Sequence, residues 1–205
     1  MARMKTEKDV LVAVQNDAIM MDILKTVQEL DLPDWWVCAG FVRSKIWDVL
    51  HNFPQQTALP DVDVIYFDPD RVDEQYEKEL EKQLERKMPQ LPWSVKNQAR
   101  MHHLNNVAPY TSSVDGISKF PETATALGVK LDKEDKLILT APHGLEDVLQ
   151  MVVKPSPGFE EEPLASIYRK RVKQKNWHSI WHKVTVVNPD KEEGSHAKSG
   201  SGKVR

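Results

Sequence analysis

From Asp17 onward apolar residues recur at intervals of three and four, at Met20, Ile23, Leu24, Val27 and Leu30, and this spacing predicts a helix with one buried face. Asn16 or Asp17 can cap it, and Pro33 follows its end. The pattern then changes. Residues 35–39, Trp-Trp-Val-Cys-Ala, form an unbroken apolar run that suits a buried strand. Gly40 closes the run, and residues 41–51 return to helical spacing through Val42, Ile46, Val49 and Leu50. A loop containing Pro54 and Pro60 leads to a second strand over 61–67, where Asp61 and Asp63 share one face and Val62 and Val64 the other. Residues 71–88 are mostly charged. Val72, Tyr76, Leu80, Leu84 and Met88 make one narrow stripe, so a surface helix is expected, with Glu74 and Lys78 as an i, i+4 pair.

The second half is less regular. Residues 93–101 predict a third strand, 102–120 a loop-rich stretch, and 121–127 a short helix with Pro121 in its first turn. Leu127, Val129 and Leu131 face Leu137, Ile138 and Leu139 across an acidic turn, a hairpin pattern. Residues 143–153 predict a helix ended by Pro155 and Pro157, and 163–184 a last helix or helix pair with Trp177, Trp181 and Val184 at helical spacing. The expected organisation is an N-terminal extension (1–16), a folded domain (17–187) and a disordered tail (188–205) rich in Gly, Ser and charge.

Composition narrows the function classes. With 205 residues, 40% of them apolar and 29% charged, the chain can bury a core and is not of the disordered type. A formal net charge of −3 excludes nucleic-acid binding by bulk charge, though not a local basic groove. The single cysteine, Cys38, allows no intramolecular disulfide and suits a reducing compartment, so a cytoplasmic location is expected. No apolar run approaches the ~18–20 residues of a membrane span, and no secretory signal follows the charged N-terminus. His102 and His103 are adjacent, without the spacing that lets two imidazoles share a metal on one helix face.

The chemistry is concentrated in residues 37–63. A strand ends at Gly40, whose backbone can approach a ligand closely, and the next helix points its free N–H groups and positive dipole end at the same place. Arg43, in the first turn, can add a bidentate contact to phosphate. Asp61 and Asp63 on the neighbouring strand repel each other unless a cation lies between them. Such hard oxygen ligands suit Mg²⁺, as one ion or as a two-metal site for phosphoryl or nucleotidyl transfer.

Ala39-Gly40-Phe41-Val42-Arg43-Ser44 followed by Asp61-Val62-Asp63 resembles the head of the nucleotidyltransferase superfamily that includes DNA polymerase beta and the CCA-adding tRNA enzymes. More narrowly, the blocks WWVCAGFVR, DVDVIYFD, WSVKNQARMH, PETATALGV and APHGLED are similar to a largely uncharacterised, mainly bacterial family of nucleotidyltransferase-like proteins. The resemblance implies an α/β (α+β) nucleotidyltransferase fold, a mixed β-sheet flanked by helices with a helical C-terminal part. It also implies a transfer of a nucleoside monophosphate from an NTP donor to an acceptor, with release of pyrophosphate. Asp61 and Asp63 would then be catalytic and hold Mg²⁺, while Gly40, Arg43 and Ser44 would bind the nucleotide phosphates. Three features depart from the superfamily pattern: Ala39 replaces Gly or Ser, Ser44 stands where the CCA-type pattern has Asp, and the strand expected at 93–101 contains no acid. The missing acid keeps an alternative open, a nucleotide-binding or regulatory relative without transfer activity. The acidic net charge and the chain length place the acceptor among small molecules or protein side chains rather than RNA.

Other residues admit two roles. Lys96 and Arg100 can contact phosphate or an acidic acceptor, or pair with glutamates of the charged helix. Trp35, Trp36, Trp177 and Trp181 can stack a base or pack the core. The basic segment Arg169, Lys170, Arg171, Lys173 and Lys175 can meet a triphosphate or RNA, or be a solvated helix face. Cys38 reads as a buried thiol.

Overall fold

Thr6 opens the folded part with a reciprocal capping box, its hydroxyl accepting from the Asp9 amide while Asp9 accepts from the Thr6 amide. The structure is a computed structural model and describes residues 4–188. The helix that follows, α1 (Glu7–Gln15), buries Val10 and Val14 completely. The segment 1–16, expected as an extension, therefore carries a helix that packs on the core. Asp17 caps α2 (Ala18–Gln28), whose buried face is Met20, Ile23, Leu24 and Val27, four of the five residues whose spacing predicts it. Then come β1 (Trp36–Cys38), α3 (Gly40–His51), β2 (Val62–Tyr66), α4 (Glu74–Lys87) and β3 (Trp93–Asn97).

The strand expected over 93–101 stops at Asn97. Its side chain accepts from the amide of Ala99 and starts a short helix, α5 (Gln98–Met101). The same side chain donates to the carbonyls of Asp68 and Arg71, so Asn97 is spent on the backbone. The loop-rich stretch contains α6 (Ser113–Ser118), capped by Ser112. The helix expected over 121–127 is reduced to a single 3₁₀ turn at Thr123–Thr125, because its backbone pairs with the distant segment 154–156 instead. The hairpin forms as predicted, from β4 (Gly128–Leu131) and β5 (Leu137–Thr140). The helix expected over 143–153 shrinks to α7 (Glu146–Leu149), since 152–153 form β6 (Val152–Val153). The chain closes with α8 (Leu164–Lys175), a 3₁₀ turn at Trp177–Ser179, and β7 (Thr185–Val186) parallel to β6. The tail expected from 188 lies, Asn188 apart, outside the described residues.

The main sheet has the order β3-β2-β1-β4-β5, with β2 and β3 parallel and the other neighbours antiparallel. One face carries Val37, Val62, Val64, Tyr66, Val95 and Val129 into a core shared with α1, α2, α3 and α4. The alternation within β2 sends Asp63 and Ile65 to the opposite face. There Ile117 of α6 packs with Trp36, Cys38, Ala39 and Ile65, and a cavity opens beside Asp63. No helix among the described residues is long and apolar enough to cross a membrane.

Candidate functional site

The site is built where β1 passes into α3. Ala39 has φ +56° and ψ −120°, a conformation that favours glycine, and its amide donates to the carbonyl of Leu127 at 3.0 Å. The strained residue is thus Ala39, while Gly40 has an ordinary backbone. A Cβ at Gly40 would meet only the Arg43 guanidinium, at 3.5 Å. Glycine there keeps a side chain off the start of α3 and the guanidinium. No side chain caps this helix.

Arg43 is 6% exposed and sits against three indoles, 5.1 Å from the ring of Trp47, 5.2 Å from Trp177 and 5.7 Å from Trp181. Burial pushes its pKa down to about 10, against the pull of Glu122 and the two aspartates. Its Nε has no partner, its Nη2 donates to Ser44 Oγ at 3.4 Å, and it has no ion pair among the described residues. A buried cation with spare donors is prepared for an anion. Ser44 is buried beside it, and also lines a cavity of about 380 Å³ with Phe41, Asp48 and Thr57 whose walls do not include Asp61 or Asp63. The tryptophans take the packing role: Trp35, Trp36, Trp177 and Trp181 are all buried.

Asp63 lies opposite Cys38 on β1 and Ser94 on β3. Its carboxyl is pushed up to about 6, first by burial and then by the charge of Asp61, which immediately precedes β2. A hydrogen bond from Ser94 and the charges of Lys175 and Arg171 oppose that rise. The last two come from α8, one turn apart, a face that sequence patterning leaves undecided. Arg171 is oriented by Glu122, with Nε to Oε1 at 2.7 Å and Nη2 to Oε2 at 3.4 Å. Glu122 is fully buried and also accepts from Thr125 Oγ1 at 3.0 Å. Glu122, Arg171 and Lys175 are outside the residues assigned to the site from sequence, although Arg171 and Lys175 belong to the basic segment that can meet a triphosphate, and their i, i+4 spacing puts them on one helix face. Burial, then Asp63 and Asp61, push the Cys38 thiol well up, in keeping with an inert buried thiol.

The structure brings Gly40, Arg43, Ser44, Asp61 and Asp63 to one corner of the sheet; Arg100 is taken up by α4, and Lys96 pairs with α4 while also lining the cavity beside Asp63. Glu77 of α4, fully buried, takes Arg100 in a bidentate pair at 2.7 and 2.6 Å, Lys96 at 3.4 Å and the Asn97 amide at 2.8 Å. Of the two roles open to these cations, the pairing with glutamates is the one observed. Lys78 likewise pairs with Glu81 at 2.7 Å, not with Glu74.

Beside Asp63 lies a cavity of about 320 Å³, lined among others by Ala39, Ile65, Lys96, Gln98, Phe120 and Arg171. Among the described residues no three His, Cys, Asp or Glu side chains stand together as metal ligands. The Asp61–Asp63 pair nevertheless fits Mg²⁺, which takes one or two carboxylates and completes its shell with waters and substrate phosphates. Burial first, and the charge of Asp61 second, keep the Asp63 carboxyl above its ordinary range despite Ser94, Lys175 and Arg171.

A sequence model for a family described as nucleotidyltransferase matches residues 25–186. An NMR structure described as revealing a CCA-adding enzyme head domain is similar with a TM-score of 0.82 and 39% identity, covering 90% of this chain and 97% of that one. A CCA-adding enzyme in complex with CTP is similar at a TM-score of 0.56 and 13% identity, over 91% of this chain and 44% of that one. The Thermotoga maritima CCA-adding enzyme complexed with tRNA_CCA gives 0.54 and 15%, over 91% and 43%. The last two likenesses show the fold alone, and the chain spans less than half the length of those enzymes. No curated protein matches the chain. The mixed sheet flanked by helices is the fold expected from sequence.

Proposed function

Because the chain belongs to the nucleotidyltransferase family, we propose that it moves a nucleoside monophosphate from an NTP to an acceptor, releasing pyrophosphate in a Mg²⁺-dependent reaction at Asp61 and Asp63. One observation carries this reading: a carboxylate pair and a buried arginine without a carboxylate partner share the corner where α3 begins. When bound, Mg²⁺ supplies charge neutralisation at the α-phosphate and the leaving oxygens. The residues do the rest. Arg43 and the uncapped start of α3 hold the β- and γ-phosphates, and Gly40 keeps their approach clear. Arg171, held by Glu122, and Lys175 add positive charge on the other side of the aspartates. Ser94 steadies Asp63 by donating to it. With Ser94 and no acid on β3 opposite Asp63, catalysis rests on alignment and charge neutralisation rather than on a dedicated base. The net charge of −3 supports a small molecule or a protein group as acceptor over RNA.

The same Ser94 favours a second reading, a nucleotide-binding relative that performs no transfer. Pyrophosphate release from the four NTPs with Mg²⁺, measured across a panel of hydroxyl, amine, carboxylate and phosphate acceptors, separates the two. Release that disappears in an Asp61→Asn, Asp63→Asn variant supports transfer. Binding without release from any acceptor supports the second reading, and full release by the double variant overturns the first.

A further inference from the structure

The cavity beside Asp63 contains a polar side chain that phosphate binding leaves unused. Gln98, the first residue of α5, is 4% exposed and lines this cavity, and among the described residues its side-chain amide has no hydrogen-bond partner. Its place is reserved by the neighbouring helix. A Cβ at Gly116 of α6 would lie 2.5 Å from Gln98 Oε1 and 3.0 and 3.1 Å from its Cγ and Cδ. Gly116 does not have a positive φ, so its backbone does not require glycine, whereas the room for Gln98 does. The cavity lining combines apolar and aromatic residues, Ile65, Met101, Tyr110 and Phe120, with the charged Asp63, Lys96, Lys119 and Arg171.

We propose that this cavity receives the nucleobase of the donor nucleotide and that Gln98 reads its edge, an inference that rests on the nucleotide-transfer reading above. A carboxamide presents one donor and one acceptor side by side, the complement of the paired donor and acceptor on a base edge. Aromatic and aliphatic walls take the two faces of a flat ring. Asp63 and Arg171 line the same cavity. A nucleotide with its α-phosphate at the aspartates therefore has this space within one ribose length. The cavity of about 320 Å³ is also of the size that small ligands occupy. Gln98 and the phosphate-binding corner thus divide the nucleotide between them, the first setting base preference and the second setting triphosphate affinity.

Calorimetric titration tests the division. ATP, CTP, GTP, UTP and inorganic tripolyphosphate are titrated with Mg²⁺ into the wild type and the variants Gln98→Leu, Gln98→Glu and Gly116→Ala. The wild type is expected to rank the four NTPs over at least about tenfold in affinity. Gln98→Leu should compress the ranking to within about threefold and leave tripolyphosphate affinity unchanged, since only the base edge loses its partner. Gly116→Ala, which displaces Gln98 without altering it, should compress the ranking in the same way, and Gln98→Glu, of equal size, should reorder it. Equal affinities in the wild type overturn the proposal. So does a ranking that survives all three substitutions, the result expected if the cavity serves the acceptor. Failure of both NTPs and tripolyphosphate to bind the wild type would bring down the nucleotide reading itself, and this inference with it.

Discussion

Two regions of the molecule gather arginines, lysines and acids, and they resolve their charges differently. At the edge where α4 meets β3, Glu77 is fully buried and fully used: Arg100 binds it through two nitrogens, Lys96 adds a third cation contact, and the Asn97 amide fills the remaining capacity. Glu81 accepts from the Val95 amide in the same manner. These carboxylates close the outer edge of β3, which would otherwise expose unpaired backbone. At the corner where α3 begins, Arg43 is also buried but faces indole rings and a single hydroxyl, and burial, then the charge of Asp61, raises the cost of ionising Asp63. A satisfied ion network stabilises a fold, whereas an unsatisfied one is left for something that comes later. By this contrast Arg100 is a structural cation, and Arg43 is the one with donors free for a ligand.

The largest effect should come from emptying the satisfied edge. Glu77→Ala leaves Arg100 and Lys96 without their buried partner and the Asn97 amide unpaired, and should cost about 3–5 kcal/mol of stability, read as a lowered urea midpoint. A loss below about 1 kcal/mol would reduce the edge to ordinary surface pairing. Next, Arg43→Met keeps the apolar packing against the tryptophans and removes a cation that has no carboxylate in ion-pair contact among the described residues. It should leave stability within about 1 kcal/mol of wild type, yet weaken tripolyphosphate binding at least about tenfold. Arg100→Met should do the reverse, and a shared profile for the two variants would erase the distinction between the regions.

A smaller effect is expected at Ala39. Its positive φ suits glycine, so Ala39→Gly should raise the stability by about 1 kcal/mol in thermal or urea unfolding, strain relief exceeding the added chain entropy. Destabilisation would show that the Ala39 side chain matters more than its strain. The smallest effect concerns the wall behind Arg43. His51 is neutral in the fold: burial, first among the causes, holds its pKa below the ordinary value of 6.5, its Nδ1–H donates to the Trp47 carbonyl, and its Nε2 accepts from the Lys183 amide. A lowered folded pKa means that its contribution is present above about 6.5 and is lost as pH falls through the folded value. Acidification from pH 7 to 5 should therefore shift the tryptophan emission as Trp181 loosens, and His51→Gln should flatten that response. An unchanged pH response in the variant would assign it to another group.

Local pattern made much of this molecule legible. The capped α2, the apolar run of β1, the alternation of β2 and the hairpin of β4 and β5 are written in consecutive residues. So is the step from Gly40 and Arg43 to Asp61 and Asp63, because one strand, one helix and the next strand bring them together. What escaped the pattern is fixed by distant partners. Residues 121–127 yield their helix to pairing with 154–156, and Val152–Val153 become a strand because β7 lies beside them. Asn97 ends β3 by capping the next helix, a use of a polar residue that looks no different in sequence from a strand position facing a ligand. Arg43 reads as a helix arginine until Trp177 and Trp181 arrive from the end of the chain to bury it. Arg171, held by Glu122, and Lys175 reach the aspartates only through tertiary folding, and the room for Gln98 depends on a glycine in another helix.

The central claim is that the aspartate pair and the α3 corner form one Mg²⁺–nucleotide site, and calorimetry with and without Mg²⁺ tests it most directly. Titration of the best-bound NTP into wild type and into the Asp61→Asn, Asp63→Asn variant should give binding in the wild type that strengthens at least about tenfold when Mg²⁺ is added. The variant should bind equally with and without the metal. Binding that is indifferent to Mg²⁺ in the wild type, or an Mg²⁺ response that persists in the variant, would contradict the account.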